Sequence, residues 1–163
     1  MSDSTMTMDV YLTGLRNQHS VETQAIGTVK NELDRMEPYP ELHAKMTEER
    51  QRSTTQAARL DDLLARHGTK ASLTKEAVAG SVATIAGFVH ITADDEVLKD
   101  VLPAIGFKAY EISSYEMLIT LAGAAGAAQD VPVLEQSIKE KMGDWLGSHL
   151  PDFVHAYLKQ KAA

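Results

Sequence analysis

Two stretches of this 163-residue chain carry apolar residues at alternating steps of three and four, and both interrupt that pattern with polar groups halfway along. In residues 9–36 the row is Leu12, Leu15, His19, Glu22, Ile26, Val29, Leu33 and Met36. In residues 40–67 it is Leu42, Met46, Glu49, Ser53, Gln56, Leu60 and Leu63. This spacing places each row on one face of an α-helix and is the seam of helices packed close to antiparallel. Between them, Glu37-Pro38-Tyr39-Pro40 reads as a sharp turn, because proline fixes φ and removes a backbone donor. A hairpin follows, with residue 19 near residue 57 and residue 22 near residue 54. His19 and Glu22 are then expected to meet Ser53 and Gln56. A carboxylate inside a bundle is costly unless it is paired, hydrogen-bonded or bound to an ion. The polar stretch therefore reads either as a hydrogen-bonded layer that fixes helix register or as a site in the bundle core, where helical bundles build metal and cofactor sites.

The rest of the chain continues the helical pattern. Residues 72–90 carry Val78, Val82, Ile85 and Val89 among many Ala and Gly positions and read as a linking helix, with His90 a cation at its C-terminal end. Thr92 to Asp95 supply capping side chains for a helix over residues 94–122. Its seam is Val97, Val101, Ala104, Lys108, Glu111, Tyr115, Leu118 and Ala122, polar in the middle at Lys108 and Glu111, a pair able to neutralise itself. Pro103 falls inside and predicts a kink near residues 99–103. Residues 132–147 form the last main helix, with Leu134, Ile138, Met142 and Trp145 on one face and Glu135, Lys139, Glu140 and Lys141 flanking it on the solvated side. Pro151 opens a short amphipathic coda of Phe153, Tyr157 and Leu158. No stretch alternates apolar and polar residues over five positions, so no strand is predicted.

Composition narrows the function classes. There are no cysteines, which excludes disulfides, thiolate metal sites and cysteine nucleophiles. Sixteen Lys and Arg stand against 23 Asp and Glu, a formal charge of −7 that argues against nucleic-acid binding. No apolar stretch reaches the roughly 20 residues of a membrane span, and residues 1–8 lack the basic and apolar regions of a secretory signal. The expectation is a cytoplasmic protein with no membrane or nucleic-acid partner, a tail at residues 1–8, one helical domain at residues 9–159 and a tail at residues 160–163.

Several motifs, taken in order, resemble a known family. Tyr11 to Gln24, with its Leu15-Arg16 pair and Glu22, is similar to the opening helix of the YciE/YciF family of ferritin-like proteins. Arg59-Leu60-Asp61-Asp62-Leu63 through His67-Gly68 resembles the end of that family's second helix, and Tyr110-Glu111-Ile112-Ser113-Ser114-Tyr115 its Tyr-Glu-Ile-Ala-Ala-Tyr motif. Trp145-Leu146, Leu150-Pro151 and Tyr157-Leu158 resemble the tail of some members. The resemblance implies an all-α, ferritin-like four-helix bundle of two antiparallel hairpins, with an extra linking helix and a short C-terminal helix. It also implies bacterial origin, association with stress response, and homodimers.

Many members look able to hold two iron-like ions with carboxylates and histidine from the four helices. Carried over by position, Glu22 and Glu111 match such carboxylates, with His19, Glu49 and Glu140 as further candidates near the same level. The chain departs from the pattern at Arg52-Ser53-Thr54-Thr55-Gln56, where the family has Glu and His, and at Lys108, where it often has Glu. The expected polar layer is thus His19, Glu22, Arg52, Ser53, Gln56, Lys108 and Glu111, with Arg52 and Lys108 supplying positive charge in place of metal. The implied function is a non-catalytic or degenerate ferritin-like dimer with most metal ligands lost. The alternative is a weak iron- or manganese-binding protein using Glu22, Glu111 and His19. No substrate is indicated, and an enzyme is not expected.

Overall fold

The computed structural model describes residues 3–71, 96–141 and 144–162. Among them α1 spans Asp3–Glu32, α2 Pro40–Arg66, α3 Glu96–Ala124, α4 Val131–Glu140 and α5 Trp145–Lys161, with 3₁₀ turns at Leu33–Met36 and Ala128–Asp130. These residues contain no strand. The linking helix expected over residues 72–90, with His90, lies outside the described residues, as do Asp94 and Met142.

The chain punctuates itself as its sequence indicates. Pro40 opens α2 at the first helical position, where its missing N–H costs nothing. Gly68 takes φ +69° after α2, and Gly126 takes φ +75° after α3. Each closes a Schellman motif: Gly68 and Thr69 donate to the Ala65 and Leu64 carbonyls at 3.0 and 3.1 Å, and Gly126 and Ala127 donate to Gly123 and Ala122 at 3.3 and 2.8 Å. α1 reaches back to Asp3, beyond the expected start at residue 9, and Met8 packs on the core there. α3 runs as one helix through Pro103.

α1 packs along α2 and α3, and α4 packs along α3 and α2, which closes a four-cornered bundle; α5 lies farther along α3. The fourth corner is therefore built from two helices, because α4 stops at Glu140 and Lys141 adopts an extended backbone at φ −65°, ψ 148°. The single helix expected over residues 132–147 is thus corrected to two. Pro151, expected to open a new segment, sits inside α5.

Two apolar clusters fill the bundle. One gathers Tyr11, Leu15, Leu60, Leu63, Leu64, Tyr115, Leu118 and Leu134. The other gathers Val29, Met36, Tyr39, Leu42, Met46, Val101, Leu146 and Phe153. Burying each large side chain contributes about 1.5–3 kcal/mol. Glu22, Glu49, Ser53, Gln56, Lys108, Glu111, Ser137 and Lys141, all buried, fall between the two clusters along the chain's helices.

α1 and α3 pack tightly at Gly14, where an added Cβ would stand 2.7 Å from Leu118 Cδ2. Gly14→Ile should therefore lower stability by about 1–3 kcal/mol in a denaturant titration, through overpacking. Gly27→Ala, with nothing within 4 Å of the added methyl, should instead raise it by up to about 1 kcal/mol through helix propensity.

Candidate functional site: a buried ion layer

The polar layer is an ion network drawn from all four corners of the bundle. Glu22 comes from α1, Glu49 from α2, Lys108 and Glu111 from α3, and Lys141 from the position just after α4. Lys141 Nζ donates to Glu22 Oε1 at 2.8 Å, to Glu22 Oε2 at 2.9 Å and to Glu111 Oε1 at 2.8 Å. Lys108 Nζ lies 2.6 Å from Glu49 Oε1 and 2.5 Å from Glu111 Oε2. Glu111 thus bridges the two ammoniums, one on each oxygen, while Glu22 grips one and Glu49 the other.

Neutral donors complete the set. Tyr115 Oη and Gln18 Nε2 both donate to Glu22 Oε1, at 2.9 and 3.2 Å. Gln56 Nε2 donates to the Ser137 carbonyl at 3.0 Å, joining α2 to α4. The side chains of Lys141, Glu22 and Glu111 are fully buried, and only 6% of Lys108 is exposed.

Electrostatics follow from that enclosure. Three carboxylates face two ammoniums, so the closed layer carries one formal negative charge. Burial, with the Glu111 charge beside it, pushes the Glu22 carboxyl above its ordinary value, against the pull of Lys141 and Tyr115. Burial alone would lower the Lys108 ammonium, but Glu111 and Glu49 outweigh it and hold the group above its ordinary value. Burial and the Glu22 charge push the Tyr115 phenol upward as well, so Tyr115 stays a hydrogen-bond donor.

The residues expected in the layer separate into two groups. Glu22, Ser53, Gln56, Lys108 and Glu111 are all buried there. His19 is not brought to the carboxylates: its Nε2 meets Asp61 of α2 at 3.3 Å on the edge between α1 and α2. That contact is one helical turn beyond the expected partner at residue 57. Arg52 lies on the flank, 29% exposed, bonded to Glu48 and 3.8 Å from Glu49 Oε2. Glu140 does not join the ammoniums of the layer but forms a two-pronged pair with Arg59 at 2.5 and 2.8 Å. That pair, with Gln136, holds its carboxyl down at about 2.

Lys141, Tyr115, Gln18 and Ser137 were not assigned to the site from sequence. Lys141 continues the Leu134, Ile138 row by a step of three, which is the signal that marks it as inward. On α1 the row that enters the core is Tyr11, Leu15, Gln18, Glu22, Ala25 and Val29, rotated from the expected one. A second polar node ties the far end of the bundle. The buried Asp130 accepts from Tyr11 Oη at 3.0 Å and pairs with His67 at 2.6 Å and Arg66 at 3.4 Å.

Fold and site together define an all-α bundle whose core holds an internal salt-bridge layer. The chain matches the family model described as "Domain of unknown function (DUF892)" over residues 6–159. It belongs to that family. A solved structure of a protein from Xanthomonas campestris pathovar campestris shares the fold, with a TM-score of 0.80 at 22% identity over 97% of this chain and 99% of that one. No helix among the described residues is long and apolar enough to cross a membrane. Nor do those residues contain a group of three or more His, Asp or Glu arranged to hold a metal ion.

Removing Lys141 would leave two buried carboxylates facing each other. Lys141→Met should lower stability by about 3–5 kcal/mol at neutral pH. Between the ordinary carboxyl value and the raised Glu22 value, the folded state holds a proton that the unfolded chain has released. Stability should therefore decline as pH rises from the ordinary carboxyl value through the raised one. Urea titrations across pH should show that decline in the wild type and a flatter dependence in Glu22→Gln.

Proposed function

We propose that this protein is a non-catalytic, ferritin-like member of its family, in which two lysine ammoniums take the cation positions of a carboxylate-bridged centre. The observation that carries the reading is Lys141 Nζ, 2.8 Å from both Glu22 and Glu111. A two-ion centre in such a bundle takes about four carboxylates and two histidines. This layer supplies three carboxylates and two ammoniums, with His19 turned to Asp61. Those residues do not fit a pair of metal ions. The layer's work is architectural: it fixes the register of four corners and ties Lys141, at the break between α4 and α5, into the core.

A homodimer is part of the proposal, and so is a stress-associated role in the bacterial cytoplasm; the family resemblance supports both. Val154 and Leu158, one turn apart on α5 and both exposed, support α5 as the meeting face. The inward neighbour Phe153 is core, so substitution probes this face better than truncation.

Metal analysis after dialysis against excess ferrous or manganous ion and then buffer should find far less than one ion per chain. Near-stoichiometric retention, lost in Glu22→Ala, would instead establish a weak metalloprotein built on Glu22 and Glu111. Size-exclusion chromatography with light scattering should give a dimer for the wild type and a monomer for Val154→Glu/Leu158→Glu. A wild-type monomer would contradict the dimer.

A further inference from the structure

Three polar atoms on the α2 side of the layer are shut off from solvent and have no hydrogen-bond partner among the described residues: Glu49 Oε2, Ser53 Oγ and Gln56 Oε1. All three residues are at most 1% exposed. They follow one another at steps of four and three on α2, so they share one face of that helix, each a turn from the next. A buried polar atom left unbonded costs about 1–3 kcal/mol, and three in one row are a feature to be explained.

The neighbouring groups do not answer them. Arg52 Nη1 is 3.8 Å from Glu49 Oε2, beyond hydrogen-bond range. Gln56 cannot turn its amide over, because its Nε2 faces the Ser137 carbonyl at 3.0 Å and an oxygen there would meet another acceptor. The Lys108 ammonium directs two donors to Glu49 Oε1 and Glu111 Oε2 and carries a third. α3 runs parallel to α2, since Gly14 near the start of α1 meets Leu118 near the end of α3. With Lys108 opposite Glu49, the next turn brings Ser53 to the level of Glu111. The shortest side chain of the row therefore falls at the centre of the layer.

We propose that the layer binds two internal waters, one between Glu49 and Ser53 and one between Ser53 and Gln56. A helical turn rises about 5.4 Å, and two hydrogen bonds of about 2.8 Å each, meeting at one water oxygen, span it. The first water donates to Glu49 Oε2 and Ser53 Oγ and accepts the third Lys108 N–H. The Ser53 hydroxyl donates to the second water, which donates to Gln56 Oε1. The donors run one way from Lys108 to Gln56, so every bond in the row joins a donor to an acceptor. Each water then has two or three partners, as buried waters do. A metal ion does not suit the row, because the Lys108 ammonium, 2.6 Å from the same carboxylate, repels it. The assignment rests on the bonding of α2 and is independent of the dimer and of any stress-associated role.

A crystal structure of the full-length protein at a resolution of about 1.2 Å or better tests the assignment. Two density peaks should appear, one within about 3.2 Å of Glu49 Oε2 and Ser53 Oγ, the other within the same distance of Ser53 Oγ and Gln56 Oε1. In solution, oxygen-17 relaxation dispersion counts long-lived internal waters. Ser53→Val, which removes the hydroxyl shared by both waters, should hold fewer of them than the wild type. If that variant does not fold, the wild-type density decides alone. The proposal is overturned if the row shows no such peaks, or if the Ser53 hydroxyl and Gln56 Oε1 bond to protein groups instead. It is equally overturned by an ion there at about 2.0–2.6 Å from the oxygens, or by a water count that Ser53→Val leaves unchanged.

Discussion

The fold depends on one ammonium held by two carboxylates in a buried layer. Lys141 follows directly on α4, which ends at Glu140, and its ammonium reaches Glu22 of α1 and Glu111 of α3. Its Coulomb attraction is strong in that low-dielectric setting, but so is the cost of desolvating each partner. Geometry decides the balance: Glu22 receives Lys141 on both oxygens and Tyr115 and Gln18 on one. A well-bonded buried pair of this kind contributes more to uniqueness than to net stability, because any slip of one helix by a turn leaves a charge unpaired.

Much of the chain's architecture follows from that requirement. The layer divides the apolar core in two, so each helix carries apolar residues at its ends and polar ones between. The fourth corner breaks at the level of the layer, where Lys141 turns from helical to extended backbone. The two pieces are then secured separately. Asp130 anchors the start of α4 to Tyr11, Arg66 and His67. Arg59 holds its end through Glu140, and Leu146 and Phe153 seat α5 in the second apolar cluster.

The amount legible in the sequence varied with how far each residue's partner lay along the chain. Every position of the α2 row, Leu42 through Leu63, is buried as its spacing indicates, and Gly68 ends that helix in the left-handed conformation. These are local properties, set by the helical period and by backbone sterics. The row on α1 is rotated, because Tyr11, Gln18 and Ala25 form an equally regular stripe and only the neighbouring helices choose between them. His19 meets Asp61, one turn from its expected partner, because the register of a hairpin depends on the connection between its helices and not on the helical period. Lys141 was the largest omission. A lysine beside Glu140 on an amphipathic helix reads as solvated, although its step of three from Ile138 keeps it on the inward row. Its partners are 119 and 30 residues away in sequence, beyond the reach of any local rule.

The central claim is that nitrogen, and not metal, occupies the cation position between Glu22 and Glu111. A high-resolution crystal structure grown in excess manganous ion, with data collected for anomalous scattering, tests it most directly. The account predicts no anomalous peak in the layer and Lys141 Nζ still within hydrogen-bond reach of both carboxylates. An anomalous peak roughly 2.0–2.6 Å from their oxygens, with the Lys141 side chain displaced, would contradict it.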